Sequence, residues 1–248
     1  MSYTSIPKKI HYFWFGGKPK SARIERYIET WKAKCPDFEI IEWNESNYDI
    51  HKHPFMERAY KDGKWAFVTD YARLDVLAQY GGIYLDTDVE VLKDLSPLCE
   101  HKAFMGFERE DLVADGLGFG GVPHFPIFEE MRHCYDDLEE YIESPKLRTK
   151  VLVEHGLKLD GTRQQVAGME IYPIEAFCPK NWATGAIRCT EATYSIHHFE
   201  ASWHEKGAKK YLCLRRILNR IFGEKRGANI FDATIVLKDK LKFLIKRE

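Results

Sequence analysis

Two aspartates one residue apart, Asp86 and Asp88, are the part of this sequence with the clearest capacity for chemistry. Like charges held that close are costly unless a cation or a network of donors absorbs them. A divalent ion would do so. Carboxylate oxygens are hard ligands that suit Mg²⁺ or Mn²⁺, ions that keep coordination positions open for phosphate oxygens. D-x-D by itself is common in surface turns. Here it follows the apolar run Ile83-Tyr84-Leu85, which places both carboxylates at the C-terminal end of a strand. Open α/β sheets bind their ligands along that edge.

Asp70 and Arg73 stand three residues apart on a predicted helix and share one face, where an ordinary ion pair is the simplest reading. Their neighbours Phe67, Val68, Tyr71 and Leu74 are apolar, however, and a charged pair inside an apolar helix is suited to address a polar ligand. His197 and His198 adjoin Ser202-Trp203. A histidine beside an aromatic is most often a packing residue. Together with a D-x-D, a neutral imidazole can complete a mixed oxygen and nitrogen shell for manganese.

The elements that must position these groups read as follows. Ile10 to Phe15 is a β-branched and aromatic strand closed by Gly16-Gly17. Ile24, Tyr27, Ile28 and Trp31 predict an amphipathic helix over 22–34, stopped by Pro36, and 38–43 alternates as a strand. The spacing from Trp65 to Tyr80 predicts a deeply packed helix, with Gly81-Gly82 as a left-handed stop before the strand Ile83–Leu85. β-α units at this spacing predict an α/β domain with a mostly parallel sheet. Farther on, 116–121 reads as a glycine-rich loop and 127–142 as a helix.

Composition narrows the classes. The chain has 248 residues, 44% of them hydrophobic, enough for one α/β domain with an appendage. Its six cysteines form no C-x-x-C pair, which argues against a zinc ribbon or a disulfide scaffold and for reduced core thiols. No apolar run approaches the ~18 residues of a membrane span, and the first residues lack the apolar stretch of a secretory leader, so a cytoplasmic location is expected. Net charge is −1, yet residues 206–248 hold 13 Lys and Arg against 4 Asp and Glu, leaving residues 1–205 acidic. A division into a catalytic domain, 1–205, and a basic helical tail, 206–248, is expected. In the tail, Tyr211, Leu214, Ile217, Leu218 and Ile221 form one helical stripe, and Ile230, Thr234, Leu237, Leu241 and Leu244 a second, with lysines and arginines elsewhere on each wheel. Such a tail suits the anionic inner face of a membrane; the competing reading packs both stripes on the protein.

Three ordered stretches carry a resemblance. Ile10-His11-Tyr12-Phe13-Trp14-Phe15-Gly16-Gly17, the block Ala66 to Arg73 running into Gly81 to Asp88, and His197 followed by Ser202-Trp203 make residues 6–205 similar to glycosyltransferase family 32. That family includes capsule-type sugar transferases and is related to the glucosyltransferase domain of large clostridial toxins. The resemblance implies a GT-A type nucleotide-sugar-binding fold, a nucleotide diphosphate sugar donor, a saccharide or lipid-linked saccharide acceptor, and retention of configuration. It implies that Trp14 stacks on the base, that Thr69, Asp70 and Arg73 hold the donor sugar, and that Tyr84 lines the pocket. Asp86 would contact ribose and sugar, Asp88 would bind Mn²⁺ or Mg²⁺, and Ser202 and Trp203 would close over the diphosphate. His197 fits the family spacing as the third ligand, with His198 as the fallback.

Rival readings are weaker. A haloacid-dehalogenase-type phosphatase needs Thr or Val two residues past its second Asp, where Glu90 stands, and a dehydrogenase would need a G-x-G-x-x-G after its first strand. The intact D-x-D, Arg73 and Ser202-Trp203 argue against a sugar or nucleotide binder without turnover. Nucleic acid is not an expected partner.

Overall fold

A computed structural model describes residues 4–200 and 206–233. The chain divides into two units, one formed by Met1–Pro179 and Cys189–His198, the other by Lys180–Arg188 and Phe199–Glu248.

In the first unit, strand β1 (Lys9–Phe13) leads into helix α1 (Ala22–Lys34) and strand β2 (Glu39–Trp43). The Ser21 hydroxyl caps α1 by accepting from the Ile24 amide, and Ile24, Ile28 and Trp31 are buried, as the periodicity predicts. Helices α2 (Pro54–Lys61) and α3 (Trp65–Tyr80) follow. From Tyr71 to Ala78 every residue of α3 is buried, so its apolar surface is covered on all sides. Gly81 stops α3 with φ 63° and ψ −169°, a positive-φ conformation outside the left-handed helical region that is open essentially to glycine alone.

Strand β3 (Gly82–Tyr84) comes next, then β4 (Val89–Val91), β5 (Ala103–Arg109), β6 (Leu112–Ala114), β7 (Phe119–Gly121), helices α4 (Pro126–His133) and α5 (Ser144–Glu154), strands β8 (Gln164–Val166) and β9 (Met169–Tyr172), helix α6 (Ile174–Phe177) and strand β10 (Ser195–His197). The main sheet runs β2-β1-β3-β7-β5-β9-β8, with β6 on β5. Five of its strands, β1, β2, β3, β5 and β9, share one direction, and the short β6, β7 and β8 oppose them. The mostly parallel α/β sheet of the GT-A expectation is therefore present, with antiparallel insertions that the β-α spacing does not predict.

Two local expectations are corrected. Part of the glycine-rich stretch is a strand, β7, because Gly120 and Gly121 leave room for neighbours: a Cβ on Gly120 would lie 2.6 Å from the Gly82 carbonyl oxygen. The helix expected over 127–142 ends at His133, and α5 is a separate helix that begins with Pro145 in its first turn. Four of the six cysteines are buried or half-buried, but Cys189 and Cys213 are exposed rather than core thiols; all six are unbridged.

β1 and β3 are tied together by His11, which is fully buried. Its Nε2–H donates to the Gly81 carbonyl at 2.9 Å, and its Nδ1 accepts from the Trp43 indole at 3.1 Å. This tautomer satisfies both ring nitrogens, and the ring lies so close under Gly82 that a Cβ there would come within 2.8 Å of Nε2. Burial lowers the His11 pKa to about 4, against a smaller upward effect of the Gly81 bond. Two of the sequence stretches of the resemblance thus meet in one packed contact.

The second unit contains helix α7 (Lys206–Phe222), a following helix α8 over 224–233, and the segment 180–188. Among the described residues no helix is long and apolar enough to cross a membrane. Thr234, Leu237, Leu241 and Leu244 of the expected second stripe lie outside the described residues.

Candidate active site

The turn between β3 and β4 carries Asp86 and Asp88. β3 pairs with β1 in parallel, His11 opposite Tyr84, so the turn and Trp14 emerge at the same sheet edge, the C-terminal ends of these strands. β4 turns away from the main sheet. It is held there by α1, whose Trp31 indole donates to the Val89 carbonyl at 2.7 Å and whose Thr30 hydroxyl accepts from the Val91 amide at 3.0 Å.

Strand β10 then pairs antiparallel with β4, placing His197 opposite Val89. This register brings His197 Nε2 to 3.2 Å from Asp88 Oδ1 and 3.9 Å from Asp86 Oδ2. One ligand atom from each of the three residues lies within 4.8 Å of the others, a spacing that could hold a metal ion. His198, next along the strand, points elsewhere: its Nε2 lies 2.8 Å from Glu90, and its ring stacks on Tyr27 at 4.6 Å. The geometry thus separates two histidines that the sequence leaves as alternatives. Burial disfavours a charged His197, but Asp88, Asp86 and Glu108 outweigh it and raise its pKa to about 8. The surrounding carboxylates therefore draw positive charge to this point, which a proton or a metal ion can supply.

Asp86 is the hinge between this cluster and a buried ionic network. Its Oδ1 accepts from the Tyr84 hydroxyl at 2.7 Å and lies 3.6 Å from Arg73. Arg73 reaches from α3, stacks over the Tyr84 ring at 4.7 Å, and pairs with Asp70 at 3.0 Å and Asp115 at 3.2 Å. Thr69 completes its surroundings through its carbonyl and hydroxyl oxygens, at 3.1 and 3.2 Å. Thr69, Asp70, Arg73, Tyr84 and Asp86 are thus one contiguous group.

Sequence reasoning passes over the other half of the network. Asp115, fully buried, accepts from Arg148 at 2.8 Å and from Ser144 at 2.8 Å. Arg148, also fully buried, donates onward to the Asp70 carbonyl and the Tyr135 hydroxyl. Burial alone would raise Asp115, but Arg148 and Arg73 hold it below the usual carboxylate range. Asp70 goes the other way: burial, helped by the charge of Asp115 and opposed by Arg73, lifts it to about 7. Three carboxylates around two guanidiniums leave one that holds a proton most easily. Asp86 is also raised, by burial and by Asp88 against the pull of Arg73.

Two further positions have only weak sequence signals. Gly116 lies against Asp86, where any side chain would collide with its carboxylate. Glu108 stands where the β5–β6 register shifts between Phe107 and Arg109, and burial raises its pKa against the pull of His197.

Trp14, half-buried, lies just past β1. Its backbone amide donates to the Trp43 carbonyl, its indole donates to the Lys18 carbonyl at 2.5 Å, and the Lys20 ammonium lies 5.5 Å over its ring. Ser202 and Trp203 lie outside the described residues.

Residues 21–105 match a family described as "Glycosyltransferase sugar-binding region containing DXD motif". The mannosyl phosphorylinositol ceramide synthase SUR1 of Saccharomyces cerevisiae is 29% identical over 224 residues, covering 82% of this chain and 53% of that protein. A human alpha-1,4-N-acetylglucosaminyltransferase is 27% identical over 148 residues, 56% of this chain and 41% of the relative. The chain therefore spans about half the length of these curated relatives. Among solved structures, the PaToxG glycosyltransferase is 20% identical with a TM-score of 0.49, over 60% of this chain and 69% of that one. Asp86 and Asp88, at the end of β3, lie inside the matched region, and the chain is similar there to the DXD-motif glycosyltransferases.

Proposed function

We propose that this protein is a retaining, metal-dependent glycosyltransferase. It moves a hexose or N-acetylhexosamine from a nucleotide diphosphate sugar, a UDP-sugar, to a saccharide acceptor that is lipid-linked, in the synthesis of surface polysaccharide. It works in the cytoplasm, peripherally on the inner face of the membrane. The observation that carries the reading is the convergence of Asp86, Asp88 and His197 beside the buried Arg73. The names of the two relatives, one for a mannosylated ceramide lipid and the other for N-acetylglucosaminyl transfer, are in keeping with this range of sugars and with a lipid acceptor.

In this reading Asp88 and His197 hold Mn²⁺ or Mg²⁺, with Asp86 at the edge of the shell. When bound, the ion supplies positive charge to the β-phosphate oxygen as the nucleoside diphosphate departs. Arg73, fixed by Asp70, Asp115 and Thr69 before any ligand arrives, presents its charge without reorganising. Asp86, oriented by the Tyr84 hydroxyl, meets the ribose and the donor sugar. Trp14 stacks on the base, and Ser202 and Trp203 close over the diphosphate. Retention follows from the family resemblance, and either a covalent carboxylate intermediate or front-face attack would give it.

The test is donor hydrolysis across a panel of nucleotide sugars, with Mn²⁺, with Mg²⁺ and after chelation, in the wild type and in Asp88→Ala. One donor should be hydrolysed with metal, and Asp88→Ala should lower the rate by about a hundredfold or more. Equal turnover by chelated or Asp88→Ala protein would refute the metal mechanism, and no turnover of any donor would refute the transferase itself.

A further inference from the structure

The second unit turns its amphipathic helix inside out. In α7 the polar side serves internal contacts: Arg216 Nε donates to the Trp182 carbonyl at 3.0 Å, Asn219 Nδ2 to that of Ala183 at 2.9 Å, and Arg220 Nε to that of Thr184 at 2.5 Å. Three consecutive carbonyls are thus satisfied by one helix face. α8 packs against the same side, where Gly227 approaches so closely that a Cβ would come within 2.6 Å of the Asn219 backbone nitrogen. The Arg215 guanidinium lies over the Trp182 ring at 5.3 Å.

Leu214, Ile217 and Ile221 of the apolar stripe, with the neighbouring Phe222, are exposed, while Leu218 is half-buried. Leu214 is 39% exposed, Ile217 47%, Ile221 66% and Phe222 49%. These four fall at helical spacing on one arc, and a soluble helix ordinarily turns such an arc inward. Contiguous exposed apolar surface of this kind marks an interaction site.

We propose that this arc is an interfacial anchor that lies on an anionic phospholipid bilayer. Charge selects this occupant: residues 213–233 hold five Arg and Lys against two acidic residues, and Lys225 and Arg226 are exposed one turn beyond the stripe. An apolar face flanked by cations inserts shallowly and adds electrostatic attraction to anionic headgroups. A second copy of the chain would instead bring like charges together. The inference rests on the membrane-side reading of the function above. It adds which residues make the contact and why they are available for it.

The experiment uses the full chain with phosphatidylcholine vesicles, with and without about a third phosphatidylglycerol, at low and high salt. Flotation is compared between the wild type and the double variant Ile217→Ser, Ile221→Ser. Both positions are exposed and distant from the D-x-D in sequence, so donor hydrolysis in solution should not change. The wild type should float with the anionic vesicles at low salt, and the double variant should partition about tenfold or more weakly. Wild-type protein that never floats, or a double variant that floats as well, would overturn the anchor. So would a wild-type dimer, seen by light scattering, that the double variant abolishes while flotation is absent. Flotation with no hydrolysis of any donor would uphold the anchor and count against the transferase reading alone.

Discussion

One methyl group at Gly116 should separate the arrangement of the D-x-D from the stability of the fold. A Cβ built at Gly116 meets Asp86 Oδ2 inside any real Cβ contact, with Asp86 Cγ at 3.2 Å and Arg73 Nη1 at 3.5 Å. Gly116 is not among the positive-φ glycines, so alanine meets no backbone strain there. The added methyl must therefore be accommodated by Asp86, which is held by Tyr84 at 2.7 Å and faces Arg73. Restoring an ordinary carbon–oxygen contact takes a displacement of roughly an ångström. A misplacement of that size in a catalytic group costs on the order of a hundredfold in rate, or about 3 kcal/mol of transition-state stabilisation. Stability should suffer less, since overpacking costs about 1–3 kcal/mol and the loss of backbone freedom in the unfolded chain returns part of that. Gly116→Ala should then melt less than ~10 °C below wild type while kcat/KM for metal-stimulated donor hydrolysis falls about a hundredfold. A variant that keeps both its melting temperature and its kcat/KM would refute the argument, because the approach of Gly116 to Asp86 would then have no bearing on the chemistry.

The buried His11 makes stability depend on pH. Its folded pKa of about 4 lies below the unfolded value of 6.5, so its contribution is complete above pH ~6.5 and is lost as pH falls toward 4, about 3 kcal/mol in all. Urea midpoints across that range should show the loss, and His11→Gln, although less stable, should show a flatter slope; equal slopes would show that other groups are responsible. Arg148→Met strands the buried Asp115 without its 2.8 Å partner and should destabilise by about 3–5 kcal/mol in chemical denaturation, with part of the loss recovered in the double variant with Asp115→Leu. A single variant as stable as wild type would mean that the network is not a coupled unit. Trp14→Ala should weaken donor binding by one to two decades, roughly 1–3 kcal/mol, with the fold intact by circular dichroism. Unchanged affinity by calorimetry would return Trp14 to a packing role.

Local rules were enough for several parts of this protein. The helices Ala22–Lys34 and Trp65–Tyr80 are legible to the residue because apolar spacing and end signals act within a few residues of chain. The placement of Asp86 and Asp88 just past a strand is legible for the same reason, and so is the grouping of Asp70 with Arg73. Asp115 and Arg148 are not legible. They are single charged residues in unremarkable surroundings, brought to Arg73 by packing between segments 42 and 75 residues apart in sequence, and nothing nearby in the chain marks them.

Tertiary structure also decided which histidine faces the aspartates. Neighbouring residues on a strand point to opposite sides, so a shift of one residue in the β4–β10 register would exchange His197 for His198. That register is set by pairing across more than 100 residues, which local pattern cannot encode. The same holds for α7. Periodicity shows that an apolar stripe exists, but its outward direction depends on the carbonyls of residues 182–184, which claim Arg216, Asn219 and Arg220 and turn the helix to face them.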